Sequence, residues 1–404
     1  MVLHATSATD RNQIVPGIFW VGVEDWNRRY FDALIPLPYG TSFNSYLVVG
    51  KEKIALVDTV YKSFSDELLE NIRKIVDPEK IDYLVMNHAE PDHASSIPKV
   101  LSVAKNAKLV VTKVGVDMAQ VFYDPPADRI MAVKDGDTID LDGKTLRFLE
   151  APWLHWPETM FTYCVEDGVL FPCDFFGAHF AKSRLFDDEF DERLLPEAKR
   201  YYAEIMMPFP VAIQRALDKV KALDLKMIGP SHGPIYRNPK RILDAYEKWA
   251  RGSLLPKVVV VYVSMWGSTE ALEKTIVEAI SAEGVEVVPY NLLLTDISHV
   301  FSDLVDASAI VIGAPTVLNQ PHPLAIVATE FIRALRPRAK LVAVFGSFGW
   351  GRASARVIGE RLGQSGFEII ETLEVRGPPR KEDLEKAASL GKHVAQRVRE
   401  SLGS

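Results

Sequence analysis

Four histidines and three acids stand beside turn-forming residues along the first 232 positions, and they constrain the fold more than any other feature. They are His88, Glu90, Asp92 and His93 in NHAEPDHASS, His155 in LHWPE, Asp174 in FPCDFFG and His232 in GPSHGP. Each lies where an apolar, strand-like run gives way to Pro or Gly, so each reads as a loop residue at a strand end. Side chains this widely scattered act together only if a rigid sheet brings its strand ends to one edge. Imidazoles mixed with carboxylates are the donors of a metal site, and seven exceed what one tetrahedral ion takes. They suit two ions sharing a bridge. His88 and Glu90 are spaced to point one way while Asp92 and His93 serve a second ion, and Asp174 has two oxygens with which to bridge. His4, His179, His299, His322 and His393 read as ordinary core or surface residues. His179, five residues past Asp174, is also placed for the layer behind the ligands.

The chain has 404 residues, enough for two domains of ordinary size. A net charge of −7 excludes nucleic acid as the main partner, which needs a basic face. No apolar run reaches the roughly 18 residues of a membrane span, and the first residues carry no basic-then-apolar signal, so a cytoplasmic protein is expected. Cys164 and Cys173, the two cysteines, form neither a disulfide framework nor a CxxC site. They read as buried thiols in a reducing compartment.

The first segment alternates strands and helices. Strands are expected at 44–49, 54–58, 81–86, 109–112, 145–150, 159–165 and 168–174, with a short apolar run at 227–229 leading to His232. A helix over 65–76 carries Leu68, Leu69, Ile72, Ile75 and Val76 on one face, and Ser63 with Asp66 resembles a capping box before it. Further helices are expected near 195–205 and 211–223. Residues 251–256, RGSLLP, read as a linker, so the domains are expected to be 1–252 and 253–404. Beyond it the pattern is regular βαβ. Strands are expected at 257–263, 285–290, 307–312 and 341–345, with helices at 269–283, 353–363 and 381–400. That alternation means a doubly wound parallel sheet.

The strand 257–263 runs into Ser264, Met265, Trp266, Gly267, Ser268 and Thr269, where a helix begins. Hydroxyls and amides at a helix N-terminus form an anion site that suits the phosphate of FMN. The GK[ST] ending of a P-loop is absent, and Gly346–Gly351 does not have GxGxxG spacing. Two further loops fit a flavin at the carboxyl ends of the strands. One is Pro315, Thr316, Val317, Leu318, Asn319 and Gln320; the other is Ser347, Phe348, Gly349, Trp350 and Gly351, with Trp350 placed to stack on the ring.

The metal pattern resembles the metallo-β-lactamase fold, an αββα sandwich, whose zinc hydrolases carry HxHxDH. Here Glu90 takes the second imidazole's place, and the harder, more anionic set shifts preference from zinc towards iron or manganese. Taken whole, the chain resembles the flavodiiron proteins, also called A-type flavoproteins, over nearly its full length. The resemblance rests on the ligand pattern and on Asp25–Asn27, GTSFNSYLV from Gly40, LHWPETM from Leu154 and SMWGSTE from Ser264. It implies an oxidoreductase reducing O2 to water, NO to N2O, or both, at a diiron centre fed by FMN. It further implies that His88, Glu90 and His155 hold one iron, that Asp92, His93 and His232 hold the other, and that Asp174 bridges. A head-to-tail homodimer, or a dimer of dimers, is implied. No cysteine follows Cys173, so electrons are expected from a separate donor, rubredoxin or reduced coenzyme F420. Departures are Asp32 where many members carry a histidine behind the ligands, Val263 where many have an acid, and Val317–Leu318. The competing readings are a zinc-dependent hydrolase with a flavodoxin-like accessory domain, and a plain electron carrier.

Overall fold

A computed structural model describes residues 12–403. The chain divides into two compact units, Met1–Tyr202 with Phe209–Ala250, and Arg251–Ser404 with Ala203–Pro208.

Two sheets face each other in the first unit. One has seven strands in the order Gln13–Val15, Ile18–Trp20, Tyr46–Val49, Ile54–Val57, Tyr83–Val85, Lys108–Thr112 and Ile130–Val133. Pairing is antiparallel up to Ile54–Val57 and parallel beyond it. The other has five strands, Thr138–Asp140, Thr145–Glu150, Met160–Cys164, Val169–Phe171 and Met227–Ile228, the last joined in parallel. The period-two alternation of a strand sorts their side chains. Tyr46, Val48, Ala55, Val57, Val85 and Val110 meet Leu146, Phe148, Met160 and Phe171 of the facing sheet. Leu47, Leu56, Leu84, Leu109 and Val111 turn the other way, onto Leu68, Leu69 and Ile72 of the helix Ser65–Arg73 and Val100 and Leu101 of Ile97–Val103. On the outer face of the second sheet, Phe161 stacks on Phe175, which meets Tyr246 of the helix Pro239–Arg251 edge-on. Helix, sheet, sheet and helix give the αββα sandwich expected from the resemblance.

The expected capping box does not form. Lys62–Phe64 is a 3-10 turn, so Phe64 caps the helix without a side-chain hydrogen bond. Ser65 Oγ instead donates to Lys62 O at 2.7 Å, satisfying the turn locally.

In the second unit five parallel strands lie in the order Glu286–Asn291, Lys257–Tyr262, Ala309–Val317, Leu341–Phe348 and Glu368–Arg376. Val258, Val260, Val311, Ala343 and Phe345 pack under Leu272 and Ile276 of the helix Ser268–Ala282 and under Leu390 and Val394 of Lys381–Leu402. Val259, Val261, Ile310, Ile312, Val342 and Val344 are fully buried on the opposite face. Both faces are therefore covered, as a parallel sheet requires. A Cβ at Gly313 would lie 2.1 Å from Phe345 Cζ, so only glycine admits that ring between the central strands. The edge strand Glu368–Arg376 and the helices Ile297–Leu304 and Pro323–Leu335 are additional to the elements expected from the sequence.

Phe148 is fully buried between the two sheets of the first unit. Phe148→Ala is expected to lower the stability of that unit by about 3–5 kcal/mol, read from the denaturant midpoint of its far-UV circular dichroism transition.

Candidate metal centre

The first four sequence-predicted ligands follow the strand Tyr83–Val85. Asn87 anchors this turn: its N–H and side-chain amide donate to the two oxygens of Asp58 at 2.8 and 2.9 Å, and Thr162 Oγ1 donates to its Oδ1 at 2.7 Å. Tyr123 OH donates to Ala89 O at 2.5 Å. His88 and Glu90 lie on the turn, while Asp92 and His93 open the short helix Pro91–Ala94, which starts on a proline. Strain gathers on the loops that serve the site. Asp58, Trp153, Cys173 and Phe176 all have positive φ, between 52° and 74°, a conformation unfavourable for residues with a Cβ. Cys173 and Phe176 bracket the turn that presents Asp174.

These loops bring all seven residues together, in two groups. His88 Nε2 and His155 Nε2 lie 3.3 and 3.0 Å from Glu90 Oε2, and 3.5 and 3.6 Å from Asp174 Oδ2. His93 Nε2 lies 3.3 Å from Asp92 Oδ1 and His232 Nε2 lies 3.1 Å from Asp92 Oδ2; the same two nitrogens lie 2.9 and 3.5 Å from Asp174 Oδ1. The two oxygens of Asp174 thus face one group each. Both oxygens of Asp92, Asp174 Oδ2, His93 Nε2 and His232 Nε2 are buried without a hydrogen-bond partner. Nitrogen and oxygen this close, yet not aligned to each other, present lone pairs to common points between them. Buried unpaired acceptors are otherwise costly, so the donor set fits two cations sharing the Asp174 carboxylate.

A further layer fixes the imidazoles. His88 Nδ1 donates to Glu158 Oε1 at 2.7 Å, and His232 Nδ1 donates to Ser42 O at 2.6 Å. A ring that donates through Nδ1 presents the Nε2 lone pair to the metal. Tyr201 OH donates to Asp174 Oδ1 at 2.9 Å. His179 is buried with its Nδ1 2.9 Å from Thr41 Oγ1 and its ring 4.8 Å from that of His232. Burial, then the neighbouring His232 and Arg200, hold its pKa well below the ordinary value, so the ring is neutral. Glu158, Thr41 and Tyr201 escaped the sequence reading. Only Glu158 left a signal, as the acid three residues after His155.

The acids and rings hold one another ionised. Burial opposes a charged His88, but hydrogen bonds to Glu158 and Glu90 outweigh it and raise its pKa to about 10. Burial likewise opposes charge on His93 and His155; Asp174 with Asp92 raises the first to about 9, and Asp174 with Glu90 raises the second to about 10. Asp32 lies at the exposed rim, where loss of hydration and then the charges of Glu90 and Asp92 push its carboxyl up to about 6.

In the second unit all three expected flavin loops leave the carboxyl ends of adjacent parallel strands. Ser264 Oγ accepts from the N–H groups of Gly267 and Glu270 at 3.1 and 3.2 Å, folding the first loop onto the start of the helix Ser268–Ala282. Thr269 Oγ1 lies 2.9 Å from Ser347 Oγ, tying the first loop to the third. Thr316 Oγ1 lies 2.9 Å from Ser354 Oγ, and a Cβ at Gly351 would lie 2.0 Å from Asn319 Oδ1, so the second and third loops also meet. Trp266, Leu318 and Trp350 are 89%, 93% and 92% exposed. Three large apolar side chains standing free beside a helix N-terminus fit an aromatic phosphate ligand. Val263 is fully buried and Val317 half-buried, so neither departure obstructs the loops.

Residues 41–233 match the model of the ODP family beta lactamases, and residues 260–391 match that of flavodoxin. A nitric oxide reductase of Moorella thermoacetica is 40% identical over 95% of this chain and 98% of its own. The solved rubredoxin oxygen:oxidoreductase of Desulfovibrio gigas superposes with a TM-score of 0.94 at 32% identity, covering 97% of this chain and 99% of that one. The flavodiiron protein of Giardia intestinalis superposes with a TM-score of 0.93 at 30% identity, covering 97% of each. The chain belongs to the flavodiiron protein family. It is an oxidoreductase of that family, and the resemblance read from its motifs extends to the whole fold.

In this flavodiiron protein the neighbouring carboxylates favour the protonated forms of His88, His93 and His155 while no cation is bound between them. Metal binding therefore releases protons, and affinity for the pair rises as pH increases from 6 towards 9. Calorimetric titration of metal-free protein with Co(II), in buffers of differing ionisation enthalpy, is expected to show this release; a buffer-independent heat would contradict it.

Proposed function

We propose that this flavodiiron protein reduces dioxygen to two waters with four electrons and four protons, or couples two NO molecules to N2O and one water with two of each. The observation that carries this is the division of Asp174, one carboxylate oxygen to each of two donor groups. His88, Glu90 and His155 are assigned to one iron, Asp92, His93 and His232 to the other, and Asp174 to both. Bound there, the iron pair supplies the electrons and a two-point template for the diatomic substrate, and FMN replenishes the electrons.

What the chain's own groups do follows from their geometry. The two oxygens of Asp174 face one donor group each and would hold one metal apiece. Tyr201 holds that carboxylate by a hydrogen bond to Oδ1. Glu158 and the Ser42 carbonyl lock His88 and His232 in the tautomer that presents Nε2. Asp32 stands at the rim, its carboxyl raised to about 6 by loss of hydration and then by the charges of Glu90 and Asp92. The turn of Ser264, Met265, Trp266, Gly267, Ser268 and Thr269 is assigned to the FMN phosphate. Pro315 to Asn319 and Ser347 to Gly351, with Trp350, are assigned to the ring.

Residues 1–252 then carry the metal chemistry and 253–404 the flavin. Electrons come from a separate carrier, rubredoxin or reduced F420, and the working assembly is a head-to-tail homodimer, alone or paired. Two free, buried cysteines suit the reducing cytoplasm. Among the described residues no helix is long and apolar enough to cross a membrane. Glu90 in place of an imidazole, and a flavin fold that hydrolysis has no use for, favour this reading over a zinc hydrolase.

Purified anaerobically, the protein is expected to hold two irons and one FMN per chain and to consume O2 or NO with reduced rubredoxin or dithionite. Asp174→Ala is expected to empty both metal positions and lower turnover at least about 100-fold, while FMN content stays unchanged. Zinc in place of iron, with no gas turnover, would revive the hydrolase.

A further inference from the structure

The two metal positions are alike in their inner donors. Each has two imidazoles, one terminal carboxylate and one oxygen of Asp174. Behind those donors they differ. Glu158 stands behind His88, its Oε1 2.7 Å from Nδ1, and the same oxygen accepts the Ala89 N–H at 2.8 Å. Its side chain is buried, and its other oxygen has no hydrogen-bond partner. The negative charge is therefore directed at His88 and is little screened by water. At the second position the hydrogen-bond partners are neutral; the nearby Asp58 carboxylate, whose charge acts on His93 more than on His88, gives its two oxygens to Asn87 and hydrogen-bonds to neither ring. His232 Nδ1 donates to the Ser42 carbonyl at 2.6 Å with Thr41 Oγ1 at 3.3 Å, and His93 Nδ1 is buried with no partner. No carboxylate lies within ion-pair reach of either Nδ1 among the described residues.

An imidazole that shares its Nδ1–H with a carboxylate gains imidazolate character and donates more strongly through Nε2. A stronger donor, with a full negative charge one ring away, favours the more highly charged metal. We infer that Glu158 makes the two positions electronically unequal, so that loss of one electron from the pair leaves the ferric ion at the His88 position. Glu158 is a positioning residue: it acts through His88 and touches neither metal nor substrate. This rests on the diiron reading above, and it adds an order of oxidation that the seven inner ligands, being evenly shared, do not supply.

Glu158→Gln tests it. The glutamine carbonyl oxygen accepts both N–H groups as before, and only the charge is lost. Metal-free protein titrated with Co(II) is expected to bind two equivalents unequally. In Glu158→Gln the affinity of one equivalent falls about 10–100-fold, while the other changes by less than about twofold. In protein loaded with 57Fe and half-oxidised chemically, Mössbauer spectra of the wild type are expected to show one ferric and one ferrous environment, valence-localised. In the variant the ferric parameters change and the potential of the first oxidation rises. Thr41→Val, on the other side, is expected to leave that potential and those ferric parameters as in the wild type. Equal weakening of both equivalents, or a half-oxidised spectrum and potential unchanged by Glu158→Gln, overturns the inference. If the variant does not fold, the wild type still decides: two identical Co(II) equivalents, or a half-oxidised pair with valences spread evenly, overturn it too. These readings need no turnover, so a protein inactive towards O2 and NO would sink the proposed function without touching them.

Discussion

Three carboxylates and four imidazoles packed out of water are only partly satisfied by one another's hydrogen bonds, because both oxygens of Asp92, Asp174 Oδ2 and the Nε2 atoms of His93 and His232 have no partner. Removing charge from water is costly unless the charge is paired and coordinated. The first unit is arranged around that demand. Its seven donors come from four loops, and every loop leaves the same sandwich of sheets whose core lies between Val48, Val57, Val85, Phe148 and Phe171. Because packed cores yield little, the loops inherit fixed positions. The strained residues Trp153, Cys173 and Phe176 sit where those loops bend, and Asp58, also strained, holds Asn87 at the start of the first. Cations, once bound, offset a cost that the fold alone would have to bear.

The second unit meets a different constraint with simpler means. A flavin phosphate needs oriented donors more than opposite charge, and a helix beginning directly after a central strand supplies them. Val258 to Val261 are buried on both faces, which holds the strand rigid up to the turn at Ser264. The loops at Leu318 and Trp350 carry apolar side chains where solvent would normally select polar ones. Residues that look wasteful in the protein alone mark the place where a partner molecule completes the packing.

What the sequence disclosed, and what it hid, follows the same physics. The clustering of the seven candidate donors was legible because His and acid at strand ends have few other reasons to recur, and the central strands because buried parallel strands read as unbroken apolar runs. The strand Glu368–Arg376 was hidden because it is an edge: EIIETLEVR alternates charge with apolar residues and is mostly half-exposed, so it resembles connecting chain. The supposed capping box failed because the spacing of Ser63 and Asp66 says nothing of the turn at Lys62–Phe64, which moves the helix start past Ser63. Glu158, Thr41 and Tyr201 were hidden for a deeper reason. Their work is done across 70, 138 and 27 residues of chain, on His88, His179 and Asp174, and only the folded sheets bring those pairs together.

That hidden layer also explains how a nearly symmetric set of ligands serves an asymmetric task. A pair of metals gains a preferred order of oxidation when its two positions are unequal. The inner ligands impose none, since each position receives the same kinds of donor. Order enters from the residues behind them: a carboxylate at His88, a carbonyl and a hydroxyl at His232. Tyr201 adds to the same imbalance by donating to the Asp174 oxygen that faces His93 and His232. A hydrogen bond to that oxygen withdraws electron density from the position whose rings have no carboxylate hydrogen-bonded to Nδ1. Glu158 and Tyr201 therefore act in the same direction from opposite sides of the bridge, one enriching the His88 position and the other depleting its neighbour.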